Sequence, residues 1–234
     1  MDYDFISKTA IFRGVTGSET EAMLQCLHAY SKTYGKDETV YRTGDHIDSM
    51  GLILSGSVNI EQGDVWGRIS IIDNIGRGQV FAETYACMPG EPLMVDVIAA
   101  EETEILFLNA ERVLTTCPSS CTFHSRLIRN LLAVMAGKNL NLTRKIGHIT
   151  PRSIRERLLS YLSLQAIRQG RYRFEIPFNR QQLADYLCVD RSAMSNELSK
   201  MRREGLLEFE KNRFCLKEGH QSGGQNEGRQ GQED

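Results

Sequence analysis

The hydrophobic pattern changes near residue 119. Before it, the pattern is that of short strands, and after it, apolar residues follow the alternating spacing of three and four that is typical of a helix. Between Thr39 and Leu108, short segments rich in β-branched residues alternate with turn residues. Glycines recur in this stretch every 11 or 12 residues, at Gly44, Gly56, Gly67, Gly78 and Gly90. Such regular turns are typical of an antiparallel sandwich or barrel. We therefore predict that residues 1–118 form a β-roll domain.

A helical pattern without proline covers residues 119–149. Its apolar residues follow the alternating spacing of a coiled-coil seam, with one polar residue among them. The predicted seam consists of Ile128, Leu132, Met135, Asn139, Leu142, Ile146 and Ile149. A second copy of the helix is the simplest partner for such a seam, with Asn139 fixing the register. We predict a dimerisation helix; the alternative is a stripe that packs against the β-roll of its own chain.

Residues 179–204 have the pattern of two short helices joined by a tight turn. Asn179 followed by Gln182 is close to a capping box, and Asp190 is a favourable N-cap for the second helix. Helical spacing directs one set of apolar residues inward. This set consists of Leu183, Ala184, Leu187, Met194, Leu198 and Met201. The segment is therefore predicted to be a helix-turn-helix.

The outward face of the second helix carries one arginine among small polar residues: Arg191, Ser192, Ser195, Asn196 and Ser199. Short side chains let a helix approach the edges of DNA bases, whereas an ordinary solvated helix favours long Glu and Lys side chains. After Gly205, residues 206–209 and 213–216 predict a β-hairpin, the wing. We therefore predict a winged helix-turn-helix domain over residues 150–218. A helical hairpin without a role in DNA binding is the alternative.

The flanks of this motif also have recognisable patterns. A helix is predicted from Arg152 to Ile167, with Pro151 in its first turn and Gly170 at its end. Residues 219–234 contain no large apolar side chain, so a disordered tail is predicted.

Charge is distributed unevenly along the chain. Residues 1–118 contain 8 Lys and Arg against 18 Asp and Glu, whereas residues 119–149 contain 5 against none. Residues 150–218 contain 14 against 9. A basic C-terminal part beside an acidic N-terminal part favours a nucleic-acid-binding protein with a separate sensor. Uneven charge also occurs in proteins that do not bind DNA, so it only supports the motif.

Other classes of protein find little support in the sequence. No run reaches the about 18 apolar residues of a membrane span, and the acidic start lacks the regions of a secretory signal, so we expect a cytoplasmic protein. Six cysteines and five histidines show no metal-ligand spacing, so no metal site is predicted. No nucleophile elbow, phosphate loop or HExxH motif occurs, so we expect no enzyme.

The chain to about residue 218 resembles the family of the cyclic-AMP receptor protein and FNR, which are bacterial transcription regulators. The resemblance rests on Gly44-Asp45, Leu54-Ser-Gly-Ser-Val58, Gly78-Gln-Val-Phe-Ala-Glu83 and the helix-turn-helix. It implies an α+β fold with an N-terminal double-stranded β-helix, the jelly roll of cyclic-nucleotide-binding domains. It also implies a homodimer on a two-fold symmetric site in double-stranded DNA. RNA polymerase and a small-molecule effector are further implied partners, and no resident cofactor is expected.

By this resemblance, Arg191 corresponds to the arginine that contacts guanine, and its planar fork suits the O6 and N7 atoms. The other base-reading positions are Ser192, Ser195 and Asn196. Family members often carry Glu and Arg in place of Ser192 and Asn196, so we expect a different DNA site.

Phosphate-binding positions of the family correspond to Asn179, Arg180 and Gln181. Arg202, Arg203 and Arg213 are either further phosphate contacts or ordinary solvated charges. Cys188 stands in the turn where such motifs favour Gly at a positive φ, so a strained backbone is expected there.

The cyclic-AMP branch of the family holds the ribose and phosphate with a Gly-Glu pair and a following Arg-Ser pair. In this chain Ala82-Glu83 keeps only the glutamate, and Leu93-Met94 replaces the second pair. Loss of the arginine removes a charge-assisted phosphate contact, so we predict no tight binding of cyclic AMP. No cysteine precedes Cys26, so the iron–sulfur cluster of the oxygen-sensing branch is not expected.

The implied effector pocket consists of Glu83, Tyr85, Leu93, Met94, Lys138 and Asn139. Two interpretations stay open. Either an apolar or aromatic effector occupies it, with the Lys138 ammonium paired to a carboxylate or phenolate, or Leu93 and Met94 fill a degenerate barrel without a ligand. Cys117 and Cys121 are either a thiol switch or ordinary cysteines.

Overall fold

A computed structural model describes residues 1–64, 66–115 and 122–217. The chain divides into two compact units, Met1–Asn139 and Leu140–Asp234. The predicted boundary between residues 118 and 119, the predicted tail 219–234, and both Cys117 and Cys121 lie outside the described residues.

Two four-stranded antiparallel sheets form the centre of the N-terminal unit. Their strands are β1 (Tyr30–Tyr34), β2 (Thr39–Tyr41), β3 (Ser49–Ser55), β4 (Ser57–Gly63), β5 (Ile69–Gly76), β6 (Val80–Phe81), β7 (Asp96–Ala99) and β8 (Thr103–Asn109). One sheet has the order β1-β8-β3-β6, and the other has the order β2-β7-β4-β5. Strands adjacent in sequence thus often lie in different sheets, as in a jelly roll. The predicted N-terminal fold is confirmed.

The glycines and the apolar residues of this roll occupy the places that the pattern predicts. All five recurring glycines have a positive φ. Gly56, between β3 and β4, also leaves no room for a side chain, because a Cβ there would lie 2.4 Å from the carbonyl oxygen of Glu102. Inward residues of the sheets, among them Ile53, Val97 and Phe107, form one buried core.

Helices pack on the roll through a second core. They are α1 (Tyr3–Lys8), α2 (Gly17–Cys26), α3 (Glu83–Ala86), α4 (Ala110–Leu114) and the long helix α5 (Thr122–Ile149). Leu127 and Leu131 of α5 are buried in this core together with Leu52 and Leu106 of the roll. One face of α5 is therefore fixed within its own chain.

The predicted seam of α5 lies largely on another face. The side chains of Leu132, Leu142 and Ile146 are 66%, 61% and 59% exposed. Ile128 and Met135 are half-buried, and Met135 packs against the second core. Single exposed apolar residues are ordinary, but several along one helix mark an interaction surface.

The C-terminal unit contains the end of α5, a helix-turn-helix and a small sheet. Its further elements are α6 (Ile154–Gln169), β9 (Arg173–Glu175), α7 (Arg180–Tyr186), α8 (Arg191–Arg203), β10 (Leu207–Glu210) and β11 (Arg213–Leu216). β10 and β11 form the predicted hairpin, and β9 pairs with β11 to complete an antiparallel sheet. The six apolar residues predicted to point inward from α7, α8 and the turn are all buried in one core.

The predicted start of α6 is wrong. The helix begins at Ile154, and neither Pro151 nor Arg152 is helical. The Ser153 hydroxyl accepts a hydrogen bond from the Glu156 N–H, and the Glu156 carboxylate accepts one from the Ser153 N–H. This capping box satisfies two donors at once, an advantage that a helix starting at Arg152 lacks. At the other end α6 continues to Gln169, past the predicted end, and stops at Gly170 with a φ of 63°.

Candidate nucleic-acid interface and ligand cavity

Both helices of the helix-turn-helix begin at capped positions. Asn179 Oδ1 accepts a hydrogen bond from the Gln182 N–H at 3.0 Å, and Gln182 Oε1 accepts one from the Asn179 N–H at 2.9 Å. Asp190 accepts hydrogen bonds from the Ser192 hydroxyl and from the Ala193 N–H. These two bonds lower the pKa of Asp190, so the cap stays ionised. Both predicted caps are confirmed, and they fix where α7 and α8 start.

The turn between α7 and α8 contains a residue in the left-handed region. Cys188 has a φ of 53°, which is unfavourable for a residue with a Cβ. Arg157 of α6 stabilises this turn, because its Nη1 donates to the carbonyl oxygens of Leu187 and Cys188, each at 3.1 Å. Its Nε donates to the Pro151 carbonyl at 2.8 Å. The sequence pattern did not identify Arg157, because nothing local indicates that it faces the turn.

The predicted base-reading face of α8 divides into two kinds of residue. The Ser192 hydroxyl donates to Asp190, and the Ser195 hydroxyl donates to the Arg191 carbonyl at 2.9 Å. These two side chains use their donors within the helix and keep oxygen lone pairs for an external donor. The Arg191 guanidinium and the Asn196 carboxamide are exposed and have no hydrogen-bonding partner within residues 1–64, 66–115 and 122–217.

The predicted phosphate-binding residues differ in how they are held. Asn179 and Gln181 are exposed at the start of α7. Arg202 places its guanidinium 5.0 Å from the ring centroid of Phe209 in the wing. Arg213 lies 3.7 Å from the Glu175 carboxylate. All of these groups keep a solvent-facing side.

Arg180 is packed more deeply than the other predicted phosphate-binding residues, which are exposed. Its guanidinium lies 4.6 Å from the ring centroid of Phe209 and 5.1 Å from that of Phe214. Its Nη2 is buried and has no partner in the part of the chain that the structure describes. Burial lowers the pKa of Arg180. The wing thus covers an arginine that the family pattern assigns to phosphate.

A cavity of about 210 Å³ lies in the N-terminal unit at the predicted effector pocket. Its wall includes Glu83, Tyr85, Leu93 and Lys138, and most of the remaining wall is apolar. Two predicted residues do not belong to this wall. Met94 is 67% exposed, whereas the neighbouring Leu93 is buried. Asn139 is also exposed, because it lies about 100° further round α5 than Lys138.

Glu83 and Lys138 form an ion pair at the wall of the cavity. Lys138 Nζ lies 2.7 Å from Glu83 Oε1 and also donates to the Val80 carbonyl at 2.7 Å. Glu83 is only 3% exposed, so its carboxylate depends on this partner. Lys138, which the family resemblance made a partner for an acidic effector, is thus already paired with Glu83 in the structure, and 42% of its side chain stays exposed. The family resemblance assigned both residues to the pocket but did not predict that they form an ion pair.

Comparisons with known protein families cover most of both units. The model of the cyclic nucleotide-binding domain matches residues 31–120, and that of the Crp-like helix-turn-helix domain matches residues 156–219. The chain belongs to the Crp/FNR family of transcription regulators. The Crp/FNR protein FnrL of Cereibacter sphaeroides, a transcriptional activator, is 25% identical over 210 residues. That alignment covers 85% of this chain and 80% of FnrL.

Solved Crp/FNR structures support the fold. CprK complexed with OCPA matches with a TM-score of 0.60 at 16% identity, over 83% of this chain and 88% of that chain. The c-di-GMP-responsive regulator CLP of Xanthomonas campestris matches with a TM-score of 0.51 at 19% identity, over 83% and 97%.

The family assignment makes this chain a DNA-binding transcription regulator, and the family consists of regulators rather than enzymes. A homodimeric state is consistent with this family. Within the described ranges, no helix is long and apolar enough to cross a membrane. The same residues contain no group of three or more His, Cys, Asp or Glu that could hold a metal ion.

Proposed function

We propose that the protein is a homodimeric regulator that reads a two-fold symmetric site in double-stranded DNA with α8 and responds to a small-molecule effector other than cyclic AMP. The observation that carries the DNA-reading part is a pair of groups on α8, the Arg191 guanidinium and the Asn196 carboxamide, which have no hydrogen-bonding partner among the residues that the structure describes. The buried face of α8 packs on the core and the Asp190 side chain caps its start, so both groups project from an ordered helix.

The hydrogen-bonding state of each side chain suggests its part in base reading. Arg191 suits guanine O6 and N7, and Asn196 suits adenine N6 and N7, each through two parallel hydrogen bonds. Ser192 and Ser195 have used their donors, so we assign them to accept hydrogen bonds from the amino groups of cytosine or adenine.

For phosphate contacts we propose the exposed amides of Asn179 and Gln181, together with Arg202 and Arg213. These contacts contribute affinity and register rather than sequence choice. We assign Arg180 mainly to holding the wing against α7, since its guanidinium stacks on Phe209 and Phe214 and its Nη2 is buried.

Dimerisation through α5 is supported by the exposure of Leu132, Leu142 and Ile146. A second copy of the helix would remove these side chains from water, at about 25 cal/mol per Å² of apolar surface. We therefore propose residues 119–149 as the dimerisation segment between a sensor domain and the DNA-binding domain 150–218. RNA polymerase is the further partner that the family implies.

The effector part of the proposal draws on related regulators and on the charge of the cavity. CprK is complexed with OCPA and CLP responds to c-di-GMP, so proteins of this fold respond to small molecules. An acid entering this cavity would compete with Glu83 for the Lys138 ammonium, and displacement of Glu83 would leave a buried carboxylate unpaired. We therefore favour a small neutral apolar effector over the aromatic acid that the sequence suggested.

A barrel without a ligand is the second candidate, and the same ion pair favours it. Glu83 and Lys138 satisfy each other, and about 210 Å³ is below the about 300–1,000 Å³ of typical ligand pockets. In that case α5 would be held on the barrel by the ion pair in every condition.

Selection of bound sequences from random DNA tests the DNA-reading part. We expect Arg191→Ala to weaken binding to the selected site by about 1–3 kcal/mol of binding free energy. The loss should be much smaller on a site in which the contacted base pair is replaced. Arg202→Ala, at a proposed phosphate contact on the same helix, should weaken binding similarly for all sequences. If the wild-type protein selects no sequence, the proposal is wrong.

Thermal-shift measurements separate the two sensor candidates. A panel of neutral aromatic compounds and aromatic acids should contain a neutral member that raises the melting temperature of the wild-type protein. If no compound does so, the ligand-free barrel is favoured. Titration calorimetry with cyclic AMP should give no micromolar binding, and such binding would contradict the first candidate.

A further inference from the structure

Arg155 of α6 is joined to the recognition helix α8 at two carboxylates. Its Nη1 and Nη2 donate to the two oxygens of Glu204 at 2.8 and 2.9 Å, and its Nε donates to Glu197 at 2.6 Å. Glu197 lies in the middle of α8, and Glu204 is its C-cap residue. A single guanidinium thus fastens two points of the helix that carries the base-reading residues.

The two points have a geometry that fixes the rotation of α8. Glu197 and Glu204 are separated by two helical turns, so they project from nearly the same face about 10.5 Å apart along the axis. The planar fork of an arginine allows little freedom when two parallel hydrogen bonds form on one carboxylate and a third bond forms on another. Hydrogen bonding to Arg155 also lowers the pKa of Glu204, so the pair remains charged at neutral pH.

Apolar packing alone does not fix this rotation as closely. Met194, Leu198 and Met201 hold α8 on the core, but apolar burial has no directional preference. A rotation of about 20° would move side-chain atoms at a radius of about 5–6 Å by about 2 Å. Hydrogen bonds to a base edge form at distances of about 2.7–3.2 Å, so a displacement of about 2 Å is several times the tolerance of about 0.5 Å and would break them.

We propose that Arg155 is a positioning residue for base reading, which sets the orientation of α8 through Glu197 and Glu204 and so determines how sharply Arg191 discriminates between base pairs. The inference rests on the proposed function, because it concerns the specificity of the same helix. Arg155 itself needs no contact with DNA. Its loss should therefore lower sequence discrimination more than it lowers affinity for DNA of random sequence.

The test measures a discrimination ratio: Kd for the selected DNA site after replacement of the base pair that Arg191 contacts, divided by Kd for the unchanged site. Arg155→Met should reduce this ratio about tenfold, within the range that one bidentate base contact contributes. Arg155→Lys keeps the charge and the fold but loses the fork, and it should also reduce the ratio. Arg152→Met is the matched control, since Arg152 is exposed nearby and has no side-chain partner among the described residues; it should leave the ratio unchanged.

A double-variant cycle separates positioning from folding. In a Glu197→Gln, Glu204→Gln background, Arg155→Met should reduce the ratio no further, because the bonds it removes are already weakened. If Arg155→Lys and Arg155→Met melt like folded proteins and keep the wild-type ratio, Arg155 has only a structural part and the inference fails. If the wild-type protein itself shows no preference between the two sites, the proposed function fails and the inference fails with it.

Discussion

Glu83 and Lys138, with their charged atoms 2.7 Å apart, join the short helix α3 to the long helix α5. Glu83 is almost fully buried, whereas Lys138 keeps part of its side chain in solvent. The Val80 carbonyl accepts a second hydrogen bond from the same ammonium. α5 is thus fastened at the cavity by a polar contact in addition to the apolar contacts of Leu127 and Leu131.

Lys138→Met should lower the free energy of unfolding by about 1–3 kcal/mol, because it leaves the Glu83 carboxylate buried without its partner. The double variant Lys138→Met, Glu83→Gln should recover part of this loss, since a carboxamide is neutral. Arg129→Met, at an exposed position on α5, is the control and should change stability by no more than about 0.5 kcal/mol. Urea denaturation followed by circular dichroism measures all three, and equal losses for Lys138→Met and Arg129→Met would contradict the prediction.

Cys188→Gly should stabilise the protein, because a φ of 53° suits glycine. Relief of the left-handed conformation contributes about 1–2 kcal/mol, and the added freedom of the unfolded chain offsets about 0.5–1 kcal/mol of it. A net gain of about 0.5–1 kcal/mol is expected in denaturation under reducing conditions. Cys188→Ala keeps the Cβ and should match wild type, while the β-branched Cys188→Val should be less stable. A Gly variant no more stable than the Ala variant would show that the turn is unstrained.

Local sequence signals predicted the structure correctly where a single short segment determines it. The recurring glycines predicted the turns of the roll, and the Asn179 and Asp190 caps predicted the starts of α7 and α8. The start of α6 was missed because two signals competed there. Proline is tolerated in the first turn of a helix, so Pro151 allowed an earlier start. The capping box of Ser153 and Glu156 forms two hydrogen bonds, and it determines where the helix begins.

Contacts between residues that are distant in the chain could not be predicted from the sequence pattern. Nothing near Glu83 indicates Lys138, and nothing near Arg155 indicates Glu204. Such pairs depend on how the elements pack, so only the structure identified them. The same limit explains Met94 and Asn139, which the family resemblance assigned to the pocket and whose side chains are exposed.

Leu142→Lys should shift the protein from dimer to monomer, because it places a charge in the seam of α5 where the side chain is exposed in the single chain. Leu140→Lys is a matched control, since Leu140 is also exposed on α5 but lies outside the predicted seam. Sedimentation equilibrium at several concentrations measures the dimer dissociation constant. The Leu142 variant should dissociate at concentrations at which wild type and the Leu140 variant remain dimeric. A Leu142 variant as dimeric as wild type would assign dimerisation to another surface.

His148, near the end of α5, makes the stability of the C-terminal unit dependent on pH. The imidazole is buried, its Nδ1 lies 3.0 Å from the Ser160 hydroxyl, and its ring packs edge-on against Tyr161. Burial lowers the pKa of His148, because the charged form would have to lose its hydration. The unfolded chain therefore binds this proton more tightly than the folded chain does.

The sign of the effect follows from this difference. The stability contributed by neutral His148 is fully present above its unfolded pKa of about 6.5, and it is lost as the pH falls through that value toward the lower folded pKa. Unfolding free energies of the wild-type protein should fall between pH 7.5 and pH 5.5 by up to about 1.4 kcal/mol per pH unit beyond those of His148→Gln, which keeps a hydrogen-bonding group but does not titrate. His46→Gln removes an exposed histidine and should keep the wild-type slope. Parallel curves for wild type and His148→Gln would mean that this histidine has the same pKa in the folded and unfolded chains, and the pH dependence would have to come from other titratable groups.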